Sequence, residues 1–225
     1  MIAKGTTKID IICHGEKKVQ RIFKGTYKVY EYLPIGYKEC KYLESTGTQY
    51  IDTNIIPTND MGIKVKYCYT ASGSAAISGI YQVNNPRTDT LFISSNNGNT
   101  SGLLFGAHRG KAYSTFNIQL NTDYVSSINY FNDGKFVLGG ATVGSVGTNT
   151  VYNASIVLFA RLNVNNSNIS ISHSKIYYTE FTEGNKITHK FIPCLDNNDV
   201  PCMYDTVSKT TLYNVGTGTF NYELL

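Results

Sequence analysis

The sequence predicts an all-β protein, an antiparallel sandwich of two sheets preceded by a small β-repeat segment. Its 225 residues include 18 Tyr and 20 Gly with many Thr, Ser and Asn, which favour strands and tight turns. The helix formers Ala, Leu, Glu and Gln are scarce, and no stretch keeps a helical period. Short strand signals alternate with turn clusters at roughly ten-residue spacing, which is the pattern of a sandwich.

The first element is a ten-residue repeat over residues 1–33. Its columns are Gly5, Gly15 and Gly25; Lys8, Lys18 and Lys28; Ile9, Val19 and Val29; and Ile2, Ile12, Ile22 and Tyr32. Three short strands of this size cannot bury their own apolar column. The column therefore packs either on the main domain or on copies in neighbouring chains. We favour an oligomerisation anchor, because residues 34–37 resemble a linker.

The main domain is predicted over residues 38–225, and its clearest strand is 63–69. Ile63, Val65, Tyr67 and Tyr69 share one face by period-two alternation, so this strand is half-buried. Further strands are predicted at 90–94, 102–106, 124–131, 135–138, 155–162, 169–173, 175–179 and 189–192. The glycine-rich stretch 139–149 is predicted to be a loop.

Charge and cysteine content limit the function classes. The net charge is +4, with +5 on residues 1–38, but the lysines are spaced singly, which favours solvated strand faces over a nucleic-acid surface. With no run of about 18 apolar residues and no apolar stretch behind the first lysines, we expect neither membrane insertion nor a secretory signal. The five cysteines lack a C-x-x-C pair and favour buried thiols in a reducing compartment. Cys194 and Cys202 could meet across the turn between them.

Candidate catalytic and metal residues are few. No E-x-D-x-x-E triad occurs, and the nearest carboxylate pair, Glu180 and Glu183, lacks the strand register that a glycosidase needs. No cysteine or histidine falls in a nucleophile motif. The dense acidic and amide loop 196–199 fits calcium or a plain polar turn, and the turn is favoured. We therefore predict no enzyme, no cofactor and no metal.

Candidate ligand-binding residues lie on two loops. The absence of Trp counts against a strong sugar platform, although Tyr can replace it. The candidate residues are Tyr81, Arg87, Asp89, His108 and Arg109. Arg87 and Asp89 also suit a local salt bridge, which is the more common arrangement.

Several segments resemble segments of a known family, and they occur in the same order along the chain as in that family. Residues 42–55, YLESTGTQYIDTNI, are similar to the opening of concanavalin A-like (LamG-like jelly-roll) domains of phage and prophage proteins. Further matches are LFAR at 158–161, KIYY at 175–178, FIPC at 191–194, YD at 204–205 and NVGTGTF at 214–220. Asn54 stands where the family usually has glycine, which suggests a different turn. The repeat in residues 1–33 resembles short units that begin many phage virion proteins.

The resemblance implies a jelly-roll lectin-like domain on a bacteriophage virion, in a tail, fibre or receptor-binding position. We expect a non-enzymatic structural protein, assembled in the bacterial cytoplasm, that displays the domain for recognition of a host-surface glycan. Its expected partners are other virion proteins and copies of itself. The alternatives are a capsid decoration or head-fibre protein without a specific ligand, and a glycan-processing enzyme.

Overall fold

The computed structural model describes the backbone of residues 13–14, 17–18, 21–24, 27–58, 60–71, 76–82, 89–95, 101–107, 110–117, 119–129, 135–138, 141–145, 154–164 and 167–225. Side chains are described for residues 32–58, 60–71, 76–80, 119–128, 137, 154–164 and 167–225. These parts of the chain contain 22 strands and no helix, so the all-β prediction is confirmed for them. No described segment is a helix long and apolar enough to cross a membrane.

The strands are numbered in chain order. They are β1 (Cys13–His14), β2 (Lys17–Lys18), β3 (Arg21–Lys24), β4 (Tyr27–Glu31), β5 (Lys38–Thr46), β6 (Ile51–Asp52), β7 (Met61–Tyr69), β8 (Ala76–Gln82), β9 (Asp89–Ser95), β10 (Ser101–Ala107), β11 (Gly110–Asn117), β12 (Asp123–Asn129), β13 (Lys135–Leu138), β14 (Ala141–Ser145), β15 (Val157–Leu158), β16 (Ala160–Asn163), β17 (Ile169–Ile171), β18 (His173–Glu183), β19 (Lys186–Leu195), β20 (Pro201–Asp205), β21 (Thr211–Tyr213) and β22 (Asn221–Leu224).

Two large sheets make up the main domain. The larger sheet has ten strands in the order β14-β13-β12-β7-β18-β5-β19-β20-β21, with β22 paired to β5. The smaller sheet has eight strands, in the order β11-β10-β9-β8-β15-β6, with β16 paired to β8 and β17 paired to β16. All but one of these pairings are antiparallel, and the exception is β16 beside β8. The β-sandwich character of the prediction is therefore present.

The core lies between the two sheets. The larger sheet contributes alternate residues of β7, together with Leu43, Ile176 and Phe191, while the smaller sheet contributes Ile77 and Leu158. Strand β7 has the predicted period-two pattern, since Ile63, Val65, Tyr67 and Tyr69 are all buried. Because successive side chains point to opposite sides of a sheet, this alternation determines which side chains of a strand point into the core.

Phe159 divides the strand that was predicted over residues 155–162. Its φ is 64°, a left-handed conformation that is rare for a bulky residue. The chain turns there, so β15 runs antiparallel to β8 and β16 runs parallel to it. The Phe159 ring is fully buried, with its centroid 4.7 Å from that of Phe220. The single-strand prediction was wrong because tertiary packing overrides the local pattern. The loop predicted at 139–149 likewise contains β14.

The N-terminal segment is described in part, as two short antiparallel ladders. In the first, Cys13 pairs with Lys18; in the second, Phe23 pairs with Lys28. The pairs His14 with Lys17 and Lys24 with Tyr27 follow the same offset. Both pairings thus recur ten residues later. Residues 1–12, 15–16, 19–20 and 25–26 of the predicted repeat lie outside the described part of the chain.

The turn that joins this segment to the sandwich lies against the outer face of the larger sheet. Leu33 is fully buried there, in an outer cluster with Ile192, Cys194, Cys202 and Tyr204. The Tyr37 amide donates to the carbonyl of Pro34, and Gly36 takes the positive φ of 87° that this turn requires. Part of the predicted linker is therefore a tight turn next to a docked leucine.

Candidate ligand-binding face

A group of tyrosines and lysines lies on the outer face of the larger sheet, opposite the core. Strand alternation places them there, because their neighbours Leu43, Val65 and Ile176 point inward. We call this group the tyrosine face. It consists of Tyr42, Lys64, Lys66, Asp123, Lys175, Tyr177 and Tyr178.

A β-bulge in β18 brings two consecutive tyrosines to this face. Ile176 pairs with Tyr67 and Tyr178 pairs with Lys66, so Tyr177 is the extra residue between them. A bulge leaves one residue without a partner and lets two neighbours share a side of the sheet. Simple alternation of the KIYY segment would have buried one of these rings.

The rings and ammonium groups are in direct contact. The Lys66 Nζ lies 4.5 Å from the centroid of the Tyr177 ring, and the Lys175 Nζ lies 4.1 Å from that of Tyr42. The two tyrosine rings meet edge to face, with centroids 5.8 Å apart. Such cation–π contacts at a partly exposed site contribute about 0.5–1 kcal/mol each, so a ligand can displace a lysine at small cost.

Asp123 anchors one side of the tyrosine face. Its Oδ1 accepts a 2.6 Å hydrogen bond from the Tyr177 hydroxyl, and its Oδ2 lies 3.1 Å from the Lys66 Nζ. Partial burial opposes ionisation, but the hydrogen bonds from Tyr177 and Lys66 outweigh it and lower the pKa of Asp123. Partial burial and the bond to Asp123 raise the pKa of Tyr177. Near neutral pH, Asp123 is therefore ionised and Tyr177 is a hydrogen-bond donor.

The tyrosine face has the groups that recognise a carbohydrate. Half-buried aromatic rings offer apolar surface for the C–H side of a sugar, and Tyr also carries a polar group at its tip. Ammonium groups donate to sugar hydroxyls, and the Asp123 carboxylate accepts from them. Because the face is an open sheet surface, a single sugar unit placed on it would make few contacts.

Of the five residues predicted from the sequence, the structure describes only Tyr81 and Asp89, and these only by their backbone. Tyr81 lies near the end of β8, and Asp89 begins β9, where it pairs with Gln82. Arg87, His108 and Arg109 lie outside the described residues. Their described neighbours are at one end of the smaller sheet, since Ala107 pairs with both Leu91 and Gly110. The five residues stay a prediction.

The carboxylate pair considered from the sequence lies on β18. The carboxylate of Glu180 is held between two lysines, 2.9 Å from the Lys190 Nζ and 3.7 Å from the Lys64 Nζ. Glu183 ends the strand and pairs with Lys186 across the hairpin. The two glutamates are thus paired with two different lysines of β19, Glu180 with Lys190 and Glu183 with Lys186.

A buried carboxylate, which sequence reasoning missed, joins β19 to the turn after β20. Asp205 is fully buried and accepts 2.6 Å hydrogen bonds from His189 Nδ1 and Ser208 Oγ, and 2.9 Å bonds from the amides of Lys190 and Val207. Burial acts to raise the pKa of Asp205, but the bonds from Ser208, the two amides and His189 lower it.

The order of these groups argues for a structural role. The carboxylate lies between the serine and the histidine, whereas a catalytic triad needs the imidazole between the other two. The YD pair at 204–205, noted above for its resemblance, was the sequence signal. Asp205 followed by Ser208 is the pattern of a side-chain-stabilised turn.

The acidic and amide loop 196–199 is a hydrogen-bonded turn. Asp196 Oδ1 accepts from the amides of Asn198 and Val200, and its Oδ2 accepts from the Tyr213 hydroxyl. Asp199 pairs with Lys38 at 2.6 Å. Within the described residues, no group of three or more His, Cys, Asp and Glu side chains is arranged to hold a metal ion.

Two of the family-like segments bind each other, although they are far apart in the chain. The amides of Val215 and Thr217 donate to the carbonyls of Tyr50 and Thr48, both at 2.9 Å. At Gly216 a β-carbon would lie 2.1 Å from the Thr48 carbonyl oxygen, so only glycine fits. The segment at 214–220 is therefore held against the segment at 42–55 by backbone hydrogen bonds. Asn54 has a φ of 57°, a conformation that both glycine and asparagine adopt readily.

Comparisons with known proteins add no identification: no family model matches this chain, and a search of curated proteins finds no significant match.

Proposed function

We propose that the chain is a non-enzymatic structural protein of a bacteriophage virion. Its concanavalin A-like jelly roll would act as a lectin domain that recognises a glycan on the host surface. The N-terminal repeat would hold the chain to other virion proteins and to further copies of itself. The resemblance of residues 42–55 and of the later segments is the origin of this proposal, and the two-sheet architecture is compatible with it.

The tyrosine face is the observation that carries the proposed glycan binding. Tyr42, Tyr177 and Tyr178 lie together among three lysines and Asp123, which is the combination of aromatic and polar groups that sugars need. The face also lies on regular strands of the larger sheet. Side chains on strands are held more rigidly than side chains on loops, which favours recognition.

The proposed anchor role draws support from the described part of the N-terminal segment. The pairing of Cys13 with Lys18 recurs ten residues later as Phe23 with Lys28. Two-stranded ladders are marginally stable alone, so they need a partner surface. Leu33 fixes the end of the segment to the larger sheet, so an anchor there would orient the domain.

The proposed absence of enzymatic activity draws support from the setting of Glu180. Its carboxylate forms ion pairs with Lys64 and Lys190. A glycosidase needs one protonated acid next to a second carboxylate at about 5–5.5 Å or 6.5–9.5 Å. The Glu180 carboxylate is instead in contact with two ammonium groups.

The test is a glycan-array screen with the full chain, followed by an activity assay on each glycan that binds. We expect binding to a set of bacterial surface glycans and no release of reducing ends. The Tyr177→Ala variant should lose at least about tenfold in affinity, because one stacking ring is removed. The Tyr222→Ala variant should bind as the original chain does, because Tyr222 pairs with Leu43 and so lies on the opposite side of the sheet.

The alternatives give different results. A decoration or head-fibre protein without a ligand would bind no glycan on the array. A glycan-processing enzyme would cleave a glycan that it binds, and Glu180→Gln would abolish the cleavage. Equal loss of binding in the Tyr177 and Tyr222 variants would contradict the tyrosine face as the site.

A further inference from the structure

Two cysteines of the larger sheet face each other across β19 and β20. Cys194 pairs directly with Cys202, and their Sγ atoms are 3.5 Å apart. Both thiols are fully buried in the outer cluster. The four cysteines with described side chains, Cys40, Cys68, Cys194 and Cys202, are all unbridged.

The register of the two strands suits a disulfide. The Asp196 amide donates to the Val200 carbonyl, and the Thr206 amide donates to the Lys190 carbonyl. In an antiparallel ladder every second pair is hydrogen-bonded. Counting in steps of two from these pairs leads to Cys194 with Cys202, which is therefore a hydrogen-bonded pair with Cα atoms about 5.5 Å apart. That separation lies within the range that disulfides span, about 4.4–6.8 Å. The bridge keeps this register, but it must draw the two Cβ atoms from the roughly 4.5–5.5 Å of a directly opposite pair to about 3.5–4.5 Å.

The thiols are shielded while the molecule is closed. Leu33 covers them from the outside, next to Ile192 and Tyr204. The hydrogen bond with Cys202 and burial raise the pKa of the Cys194 thiol, and burial raises the pKa of the nearby Cys40 thiol to about 12. Since the thiolate is the form that attacks a disulfide, the closed molecule reacts slowly. Reaction requires the segment around Leu33 to open.

We propose that Cys194 and Cys202 are a redox-active dithiol that forms an intrachain disulfide by exchange with a small-molecule disulfide such as glutathione disulfide. One thiol loses its proton to solvent and attacks the reagent, which releases the first glutathione thiolate. The second protein thiolate then attacks the mixed disulfide and releases the second. The protein loses two electrons and two protons, and glutathione disulfide gains them as two thiols.

The test follows oxidation of the full chain carrying Cys13→Ser, which removes a thiol outside the described side chains. The reduced protein is incubated with glutathione disulfide, quenched by alkylation and analysed by mass and peptide mapping. We expect the oxidised chain to carry two fewer alkyl groups than the reduced chain, with Cys194 linked to Cys202. The oxidised chain should melt at a higher temperature than the reduced chain, because the bridge restricts the unfolded state.

Two matched variants test the role of the cover. Leu33→Ala should raise the oxidation rate by at least about tenfold, because it favours the opened state. Ile35→Ala changes a residue of the same turn that is 75% exposed, and should leave the rate unchanged. Cys202→Ser should abolish the intrachain bridge.

A bridge that does not form could simply reflect the slow reaction of the closed molecule. A further experiment removes this explanation: the denatured chain is refolded in a glutathione redox buffer. Absence of the Cys194–Cys202 link in both the Leu33→Ala and the refolded samples would overturn the proposal. A link through Cys40, or a stable glutathione adduct, would overturn it as well. None of these readouts depends on glycan binding.

Discussion

Asp205→Asn should be among the most destabilising single substitutions in the larger sheet. The change keeps the size of the side chain but replaces one carboxylate oxygen with an amide that donates. Four donors surround the native carboxylate, at 2.6–2.9 Å. Two of them lose their acceptor, and a hydrogen bond to a charged group contributes about 1.5–3 kcal/mol. His189 and Ser208 can each reorient to accept, so we expect a net loss of about 2–4 kcal/mol.

The assay is urea and thermal unfolding of the variant beside a matched control. In a chain of this size the loss corresponds to a fall in melting temperature of roughly 4–16 °C. The control is Asp199→Asn, which removes an exposed ion pair with Lys38. Exposed pairs contribute about 0–1 kcal/mol, so the control should stay close to the original chain. Equal melting temperatures for the two variants would refute the role assigned to Asp205.

The stability difference between the original chain and Asp205→Asn should depend on pH. The folded state lowers the pKa of Asp205, so its contribution is fully present above the unfolded pKa, near 4. The contribution is lost as the pH falls through the folded value. We expect a constant difference at neutral pH and a smaller one below about pH 4. A difference that does not change down to strong acid would contradict this explanation.

Three further predictions concern the contact of Gly216 with Thr48, the turn at Asn54 and the N-terminal repeat. Gly216→Ala should destabilise the chain by about 1–3 kcal/mol in urea, because the new β-carbon meets the Thr48 carbonyl. Asn54→Gly should leave the melting temperature nearly unchanged, whereas Asn54→Val should lower it through a cost of about 1–2 kcal/mol in the left-handed region. A chain of residues 32–225, which keeps Leu33, should form particles with fewer copies than the full chain in light scattering; the same number of copies would contradict an oligomerising repeat.

Short-range features of the fold were predictable from the sequence. The alternation in β7 was readable because one face of that strand is buried and the other carries Lys64 and Lys66. The break at Phe159 was not readable, since an apolar run gives no sign of a positive φ. That conformation depends on hydrogen bonds to Ile77 of β8 and to Ser172, which lies between β17 and β18.

The candidate site depends on contacts that the sequence does not contain. Tyr42 and Tyr177 are 135 positions apart and meet only because β18 pairs with β5. The bulge that turns Tyr177 and Tyr178 to one side also breaks the period-two rule on which the sequence argument relied. Sequence reasoning placed the ligand on loops instead, where single charged residues are easiest to notice.

The most direct test of the tyrosine face is an NMR titration of the full chain, with isotope-labelled tyrosine rings, against a glycan identified on the array. Single Tyr→Phe variants assign the resonances among the 18 tyrosines. Our account predicts that the signals of Tyr42, Tyr177 and Tyr178 shift together and saturate with one affinity, while that of Tyr222 does not move. Shifts confined to Tyr81, near the end of β8, would contradict the tyrosine face and locate the ligand at that end of the smaller sheet.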